Sequence, residues 1–278
     1  MTGLSIALLS LWFGIAQSAG IRSAAEFSAA TGEAKRATLN DLAAFRYSPP
    51  PDTVSTLVSS GLADGNAGVR LSAVYAAAGR AGAVRFATVP ERRAVGLRER
   101  AALARLRPVL IAALSDDDER VRQGAIVALV NLEYQPPADV NDIVIRPDLA
   151  TAMQLRFDAE PSSRVREEIV KTFALTSLST TRRDDLLLKA LDDEASILSF
   201  AVAGLGRSTP SAAMSRIADL LHHDDRSVRL QAAQALAAYG NRARPYIEAL
   251  AEAASSEKDD AVRNTMEGAR SKLLRSQR

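Results

Sequence analysis

Along most of this chain apolar residues return every four positions rather than every two. Val69, Ala73 and Ala77 form one such triple, repeated by Val121, Ala125 and Leu129, and by Val165, Ile169 and Phe173. Ile197, Ala201 and Leu205 follow, then Val228, Ala232 and Leu236. Offsets of 0, 4 and 8 trace one buried face of an α-helix, whereas a half-buried strand would alternate. A sixth set, Val262, Met266 and Arg270, ends on a charge, which suits a terminal repeat with a polar outer side. Three residues before each set stand Asn66, Asp118, Ser162, Glu194, Asp225 and Asp259. All but Glu194 are good N-cap types, whose side-chain oxygen accepts an orphaned N–H of a first helical turn. The pattern therefore predicts a helix start at six places.

Another apolar helix is predicted ahead of these starts, as in Val54-Leu57-Val58-Leu62, Val109-Leu110-Leu114, Leu186-Leu187-Leu191 and Ile217-Leu220-Leu221. Pro51, Pro147, Pro210 and Pro245 fall where these first helices should begin, where a missing N–H costs nothing. Gly79, Gly206 and Gly240 fall where second helices should end, as C-terminal caps. The unit is helix, acidic turn, helix, connection. The six copies lie 52, 44, 32, 31 and 34 residues apart, so the first two intervals imply insertions, placed at 79–107 and 133–145. Glu33 to Arg46 is expected to be a capping helix, ended by Tyr47-Ser48-Pro49-Pro50-Pro51. The organisation expected is a targeting segment (1–20), an N-terminal segment with the capping helix (21–50) and a repeat domain (51–278).

Val-Arg recurs as Val69-Arg70, Val121-Arg122, Val165-Arg166, Val228-Arg229 and Val262-Arg263, with Ile197-Leu198 in the remaining copy. Six residues before the Arg position come Asp64, Asp116, Glu160, Asp192, His223 and Glu257. Over about residues 50 to 270 this pattern resembles HEAT repeats, including the shorter HEAT-like type of phycobilisome lyase subunits. Pro108, fourteen residues before Arg122, matches the proline that kinks that family's first helix. The resemblance implies an all-α fold, an α-solenoid of about six HEAT-like helical hairpins. It also implies a hydrogen-bonded ladder of acid and Arg between neighbouring repeats, with Asp116 and Arg122 expected to pair. Leu198 in the Arg position implies an interruption there.

Composition changes this picture little. The 278 residues are 47% hydrophobic but only 5% aromatic, which favours closely packed helices over aromatic-rich sheets. Thirty-five basic against 33 acidic residues leave a net charge of +2, no argument for a polyanionic partner. The chain has no Cys, which excludes disulfides, thiolate metal sites and Cys nucleophiles. Leu4 to Ala16 is an uncharged apolar run too short for an ordinary membrane span, and Ala16-Gln17-Ser18 fits a small-x-small cleavage rule. An export signal cut near Ala19 to Ile21 is expected; an uncleaved anchor and an ordinary first helix are the alternatives.

Candidate chemistry is sparse. His222 and His223 are the only histidines and have no ligand spacing, so they are expected on an exposed turn. The clusters Asp116 to Glu119, Asp192 to Glu194, Asp224-Asp225 and Asp259-Asp260 fall in turns and are expected to cap helices. Residues 80 to 107 hold eight Arg (80, 85, 92, 93, 98, 100, 105 and 107) against Glu91 and Glu99, read as the solvated face of a helix. No nucleotide-binding or hydrolase motif occurs, so no catalytic residue, cofactor or metal is assigned. The function expected is a non-catalytic, exported scaffold, monomeric by itself, holding a protein or peptide on its second helices. Two and six residues past each Val, the contact stripe comprises Leu71 and Tyr75, Gln123 and Val127, Glu167 and Lys171, Leu230 and Gln234. The alternatives are an accessory subunit of a chromophore-lyase-like enzyme, as the resemblance allows, and nucleic-acid or anionic-surface binding through the Arg-rich stretch.

Overall fold

The computed structural model describes residues 21, 23–86, 90–133, 144–175 and 180–275. Among them are fifteen α-helices, short 3₁₀ turns and no β-strand. The targeting segment and most of the second insertion lie outside the described residues. The chain forms two compact units, divided after Leu132.

The first unit contains α1 (Ala24–Ala29), α2 (Gly32–Ala43), α3 (Pro51–Leu62), α4 (Ala67–Phe86), α5 (Pro90–Leu103), α6 (Arg107–Ala112) and α7 (Glu119–Glu133). The second contains α8 (Pro147–Ala159), α9 (Ser163–Leu175), α10 (Thr180–Lys189), α11 (Ala195–Ser208), α12 (Met214–Asp219), α13 (Arg226–Tyr239), α14 (Ile247–Ser256) and α15 (Asp260–Arg275). In the second unit α9, α11, α13 and α15 pack in succession, each with the helix before it in the chain packed against it. In the first unit α4 is central, flanked by α2, α3 and α5. This is an α-solenoid arrangement of helical pairs.

All six predicted starts are helix starts. Asn66 caps α4 by accepting from Gly68 and Val69, Asp118 accepts from Arg120, Asp225 from Ser227 and Val228, and Asp259 from Ala261 and Val262. Glu194 makes no side-chain cap; its carbonyl accepts from Leu198. The apolar positions of the 0, 4 and 8 sets are all buried, Val109 on a first helix is 39% exposed, and Arg270 is exposed as expected. Between them these side chains supply each unit's core, and each buried Leu or Ile contributes about 1.5–3 kcal/mol relative to exposure.

Three expectations need correction. The capping helix ends at Ala43 rather than Arg46, where Arg46 and Tyr47 donate back to the Asp41 carbonyl and Phe45 takes a positive φ of 57°. With α1 it forms a further helical pair. Thr31 caps α2, Thr38 and Leu42 are buried on its inner face, and Lys35 occupies the Arg position. The stretch 79–107 is largely helical, as the reading of its Arg as a helix face implied: α4 runs on to Phe86, α5 occupies most of the rest, and Pro108 lies in the first turn of α6. Gly79 and Gly206 lie inside helices instead of ending them. A Cβ on Gly79 would stand 3.1 Å from the Ala43 carbonyl oxygen, and one on Gly206 would stand 3.0 Å from Ala235 Cα. Close helix crossing, not chain reversal, calls for glycine there. Gly240, at a φ of 56°, does end α13 as expected.

Candidate functional site: the second-helix face and the ladder beside it

A recurring Arg sets most of the second helices in register. In the first unit Arg70 donates from Nη1 to the carbonyls of Asp64 and Gly65 in its own turn, at 3.0 and 3.1 Å. Its Nε and Nη2 reach the Asp116 carboxylate of the following repeat, at 2.7 and 2.9 Å. Lys35 makes the same rung one repeat earlier, with Nζ 2.8 Å from Asp64 Oδ2. In the second unit Arg166 donates to the carbonyls of Glu160 and Pro161 and, at 2.8 and 2.9 Å, to the Asp193 carboxylate. Arg229 does likewise with the carbonyls of His223 and Asp224 and the Glu257 carboxylate.

Two register details differ from expectation. Arg122 holds the backbone carbonyls of Asp116 and Asp117, while the Asp116 carboxylate belongs to Arg70. A guanidinium is a planar fork that can cap its own turn with one nitrogen and pair forward with the other two. The ladder acid near residue 192 is Asp193, because that turn is one residue shorter before its cap; Asp192 pairs with Arg216 instead. The expected interruption is present. Leu198 is buried where a rung cation would stand, and His223 stands where its acid would be.

Electrostatics follow the ladder. Hydrogen bonding from Lys35 holds the Asp64 carboxyl below its ordinary range, and bonding from Arg229 does the same for Glu257. For Asp116 and Asp193 burial pushes upward, but Arg70 and Arg166, with backbone N–H donors, bring both below the ordinary value. Asp118 is lowered to about 2, first by its Arg120 partner. Asp259 is lowered to about 2, first by Arg226.

The ladder turns the other face of each second helix outward. Leu71 and Tyr75 lie on α4, Gln123 and Val127 on α7, Glu167 and Lys171 on α9, and Leu230 and Gln234 on α13. All eight are partly or fully exposed. Tyr75 is 49% exposed, and its ring edge lies beside Gly124 of α7, where an added Cβ would be 3.6 Å from Cε1 and only 2.5 Å from Val74 Cγ2. In the second unit Lys171 bonds Glu167 at 2.8 Å and rests 5.0 Å over the ring of Phe200 on α11, a residue that the sequence stripe omitted. Residues i and i+3 or i+4 share a helix face, so Phe200 could have been found by offsetting the stripe one position.

The Arg-rich stretch is not uniformly a solvated face. Arg80 is fully buried at 0% exposure. Its Nε donates to the Leu42 carbonyl at 2.7 Å, Nη1 to Glu99 of α5 at 2.9 Å, and Nη2 to the Tyr47 carbonyl and Ser48 Oγ. Its guanidinium also stacks 4.2 Å from the Phe45 ring. Arg98 is exposed, and Arg105 makes an exposed pair with Asp52 at 3.1 Å. His222 is exposed and His223 half-buried, and no group of three or more ligand side chains among the described residues is placed to hold a metal ion.

Residues 184–269 match the family model for HEAT repeats. A crystal structure of an engineered protein superposes with a TM-score of 0.52 at 17% identity, covering 80% of this chain and 97% of that one. A designed armadillo repeat protein superposes with a TM-score of 0.38 at 17% identity, covering 90% of this chain and 98% of its own. No curated protein sequence matches. The fold is a HEAT-like α-solenoid, and likeness at this identity shows the fold alone.

Proposed function

We propose that this protein is a non-catalytic binding scaffold whose second helices hold a protein or peptide partner. The observation that carries the reading is Tyr75, an aromatic half-exposed in the middle of the first unit's face and backed by Gly124. Tyr is enriched among the residues that dominate binding energy, because it offers large apolar area and a polar tip at small entropic cost. Leu71, Val127, Leu230 and Phe200 add apolar surface, while Gln123 and Gln234 supply paired donors and acceptors, a mixture that suits protein recognition.

Export belongs to the same proposal. Ile21 is 5% exposed and its carbonyl accepts from the Tyr47 hydroxyl at 3.1 Å, so a cut at or before Ile21 leaves the N-terminal helical pair anchored. No described helix is long and apolar enough to cross a membrane.

A photo-reactive residue placed in turn at Tyr75, Val127, Lys171 and Gln234 tests the reading in the native host. Crosslinks from these positions to one protein, absent from Val109 and Leu155 on first helices, are the expected result. Crosslinking from the first-helix positions alone would overturn the assignment of the face.

A further inference from the structure

Ladder and packing set the starts of α9, α11, α13 and α15 along one edge of the second unit and their ends along the other. The two edges treat arginine differently. Beside the starts, Arg166, Arg216, Arg226, Arg229 and Arg263 each pair with a carboxylate. Beside the ends, Arg207 of α11 donates from Nη1 to the Ala174 carbonyl of α9 at 3.4 Å, and Arg242, just past α13, donates to Thr209 Oγ1. Arg182, at the start of α10, donates to Thr151 Oγ1 of α8. All three acceptors are neutral. Arg182, Arg207 and Arg242 are exposed, as are Arg244 and Arg275. The described acids of this edge leave these arginines unpaired. Asp184 accepts from the Ser208 hydroxyl at 2.6 Å and lies 3.6 Å from Arg183, Asp148 pairs with Arg146, and Asp185 and Glu248 are exposed. Two leucines stand among them: Leu175 ends α9 at 56% exposure, and Leu274 lies one residue before the end of α15 at 40%. The helix dipole favours a cation at a helix end, but Arg182 and Arg244 stand at or just before helix starts, where it is unfavourable. Nor does a dipole call for exposed leucines.

We propose that this edge docks the second unit on an anionic lipid surface. Each exposed guanidinium keeps donors free for a headgroup phosphate, which it can grip with two nitrogens. Leu175 and Leu274 enter the interfacial layer beside them. Packed helices lie about 8–10 Å apart, so the cations form a row rather than a pocket. A row suits a surface of many phosphates better than one small anion. A nucleic-acid strand would call for exposed rings on which its bases stack. At this edge Tyr239 is buried, with its hydroxyl donating to the Pro210 carbonyl at 2.8 Å, and Tyr246 is half-buried. The contact is additional to the partner face, which runs along helix flanks rather than across helix ends.

Co-sedimentation of the full chain with lipid vesicles tests this. Vesicles of equal parts phosphatidylglycerol and phosphatidylcholine should bind at least about tenfold more strongly than phosphatidylcholine alone, since each Arg near an anionic surface contributes about fivefold. Leu4 to Ala16 carries no charge, so any affinity of that run is common to both vesicle types. The preference should vanish as salt rises from about 0.1 to about 1 M, where the screening length falls from about 10 to about 3 Å. Arg207→Gln with Arg242→Gln should lower binding to the anionic vesicles by more than about tenfold, whereas Arg226→Gln on the ladder edge should change it by less than about threefold. Leu175→Ser with Leu274→Ser should weaken vesicle binding severalfold and leave any binding of soluble polyphosphate unchanged. Equal binding to both vesicle types, or an Arg226 change as damaging as the Arg207 and Arg242 pair, would overturn the proposal. Vesicle binding that ignores the leucines and is matched by polyphosphate would overturn it too, assigning the edge to a soluble polyanion. Should the Arg variants not fold, the vesicle preference and the leucine pair decide.

Discussion

Arg70 grips Asp116 through two roughly parallel hydrogen bonds while its remaining nitrogen closes the turn it came from. The side chain thus couples a local event, helix entry, to a distant one, the docking of the following repeat. Stacked repeats draw much of their stability from such nearest-neighbour terms.

Acid should dismantle this coupling. The carboxyls of Asp64, Asp116, Asp193 and Glu257 all sit below their ordinary values in the fold. A depressed folded value means that the stability is fully present above the unfolded value, near pH 4, and is lost as pH falls through the folded one. Urea midpoints followed by circular dichroism should fall continuously from pH 4 toward pH 2. Midpoints that stay flat across that interval would show that the carboxylates are not held as described.

Arg80 and Arg105 sit in one Arg-rich stretch but should behave oppositely. Removing the Arg80 side chain strands Glu99 in the interior along with the carbonyls of Leu42 and Tyr47. Breaking a buried ion pair from one side typically costs about 3–5 kcal/mol. Arg105→Ala loses only an exposed pair with Asp52 and should cost less than about 0.5 kcal/mol. Denaturant melts of the two variants separate them, and equal effects would contradict the burial of Arg80.

At Gly206 the neighbour that a methyl would meet is backbone, Ala235 Cα at 3.0 Å, so it cannot rotate aside. Gly206→Ala should therefore destabilise by about 1–3 kcal/mol despite its better helix propensity. Gly268→Ala on α15, with nothing within 4 Å, should be neutral or slightly stabilising. A stabilised Gly206→Ala would mean that α11 and α13 do not cross this closely.

Much of the fold is legible in the sequence because two signals coincide at most repeats. A capping oxygen stands three residues before a buried Val or Ile, and a 0, 4, 8 apolar face follows. The N-terminal pair escaped because Thr31, Ala34 and Lys35 carry its register with a Lys in place of Arg and no Val. Asp193 was missed because the turn before Glu194 is one residue shorter, so counting back six from Leu198 lands on Asp192. The burial of Arg80 was invisible for a different reason. Charge counted over a window treats every Arg alike, whereas the Leu42 and Tyr47 carbonyls that satisfy Arg80 lie over 30 residues away in the chain. Of the candidate face, its position on the second helices is readable from the offset of two and six, but Gly124 beneath Tyr75 depends on helix packing that no local pattern encodes.

The ladder register fixes which side of each second helix faces outward, so a double-mutant cycle on it tests the account most directly. Arg70→Ala and Asp116→Ala should each cost about 1.5–3 kcal/mol, as lost partly buried charged hydrogen bonds do. Together they should cost less than the sum by at least about 1 kcal/mol, the signature of a direct pair. Asp116→Ala combined with Arg122→Ala should show a smaller coupling, since Arg122 reaches Asp116 at its backbone carbonyl, which the substitution keeps. A cycle in which Asp116 couples to Arg122 more strongly than to Arg70 would contradict the register, and with it the face assigned to the partner.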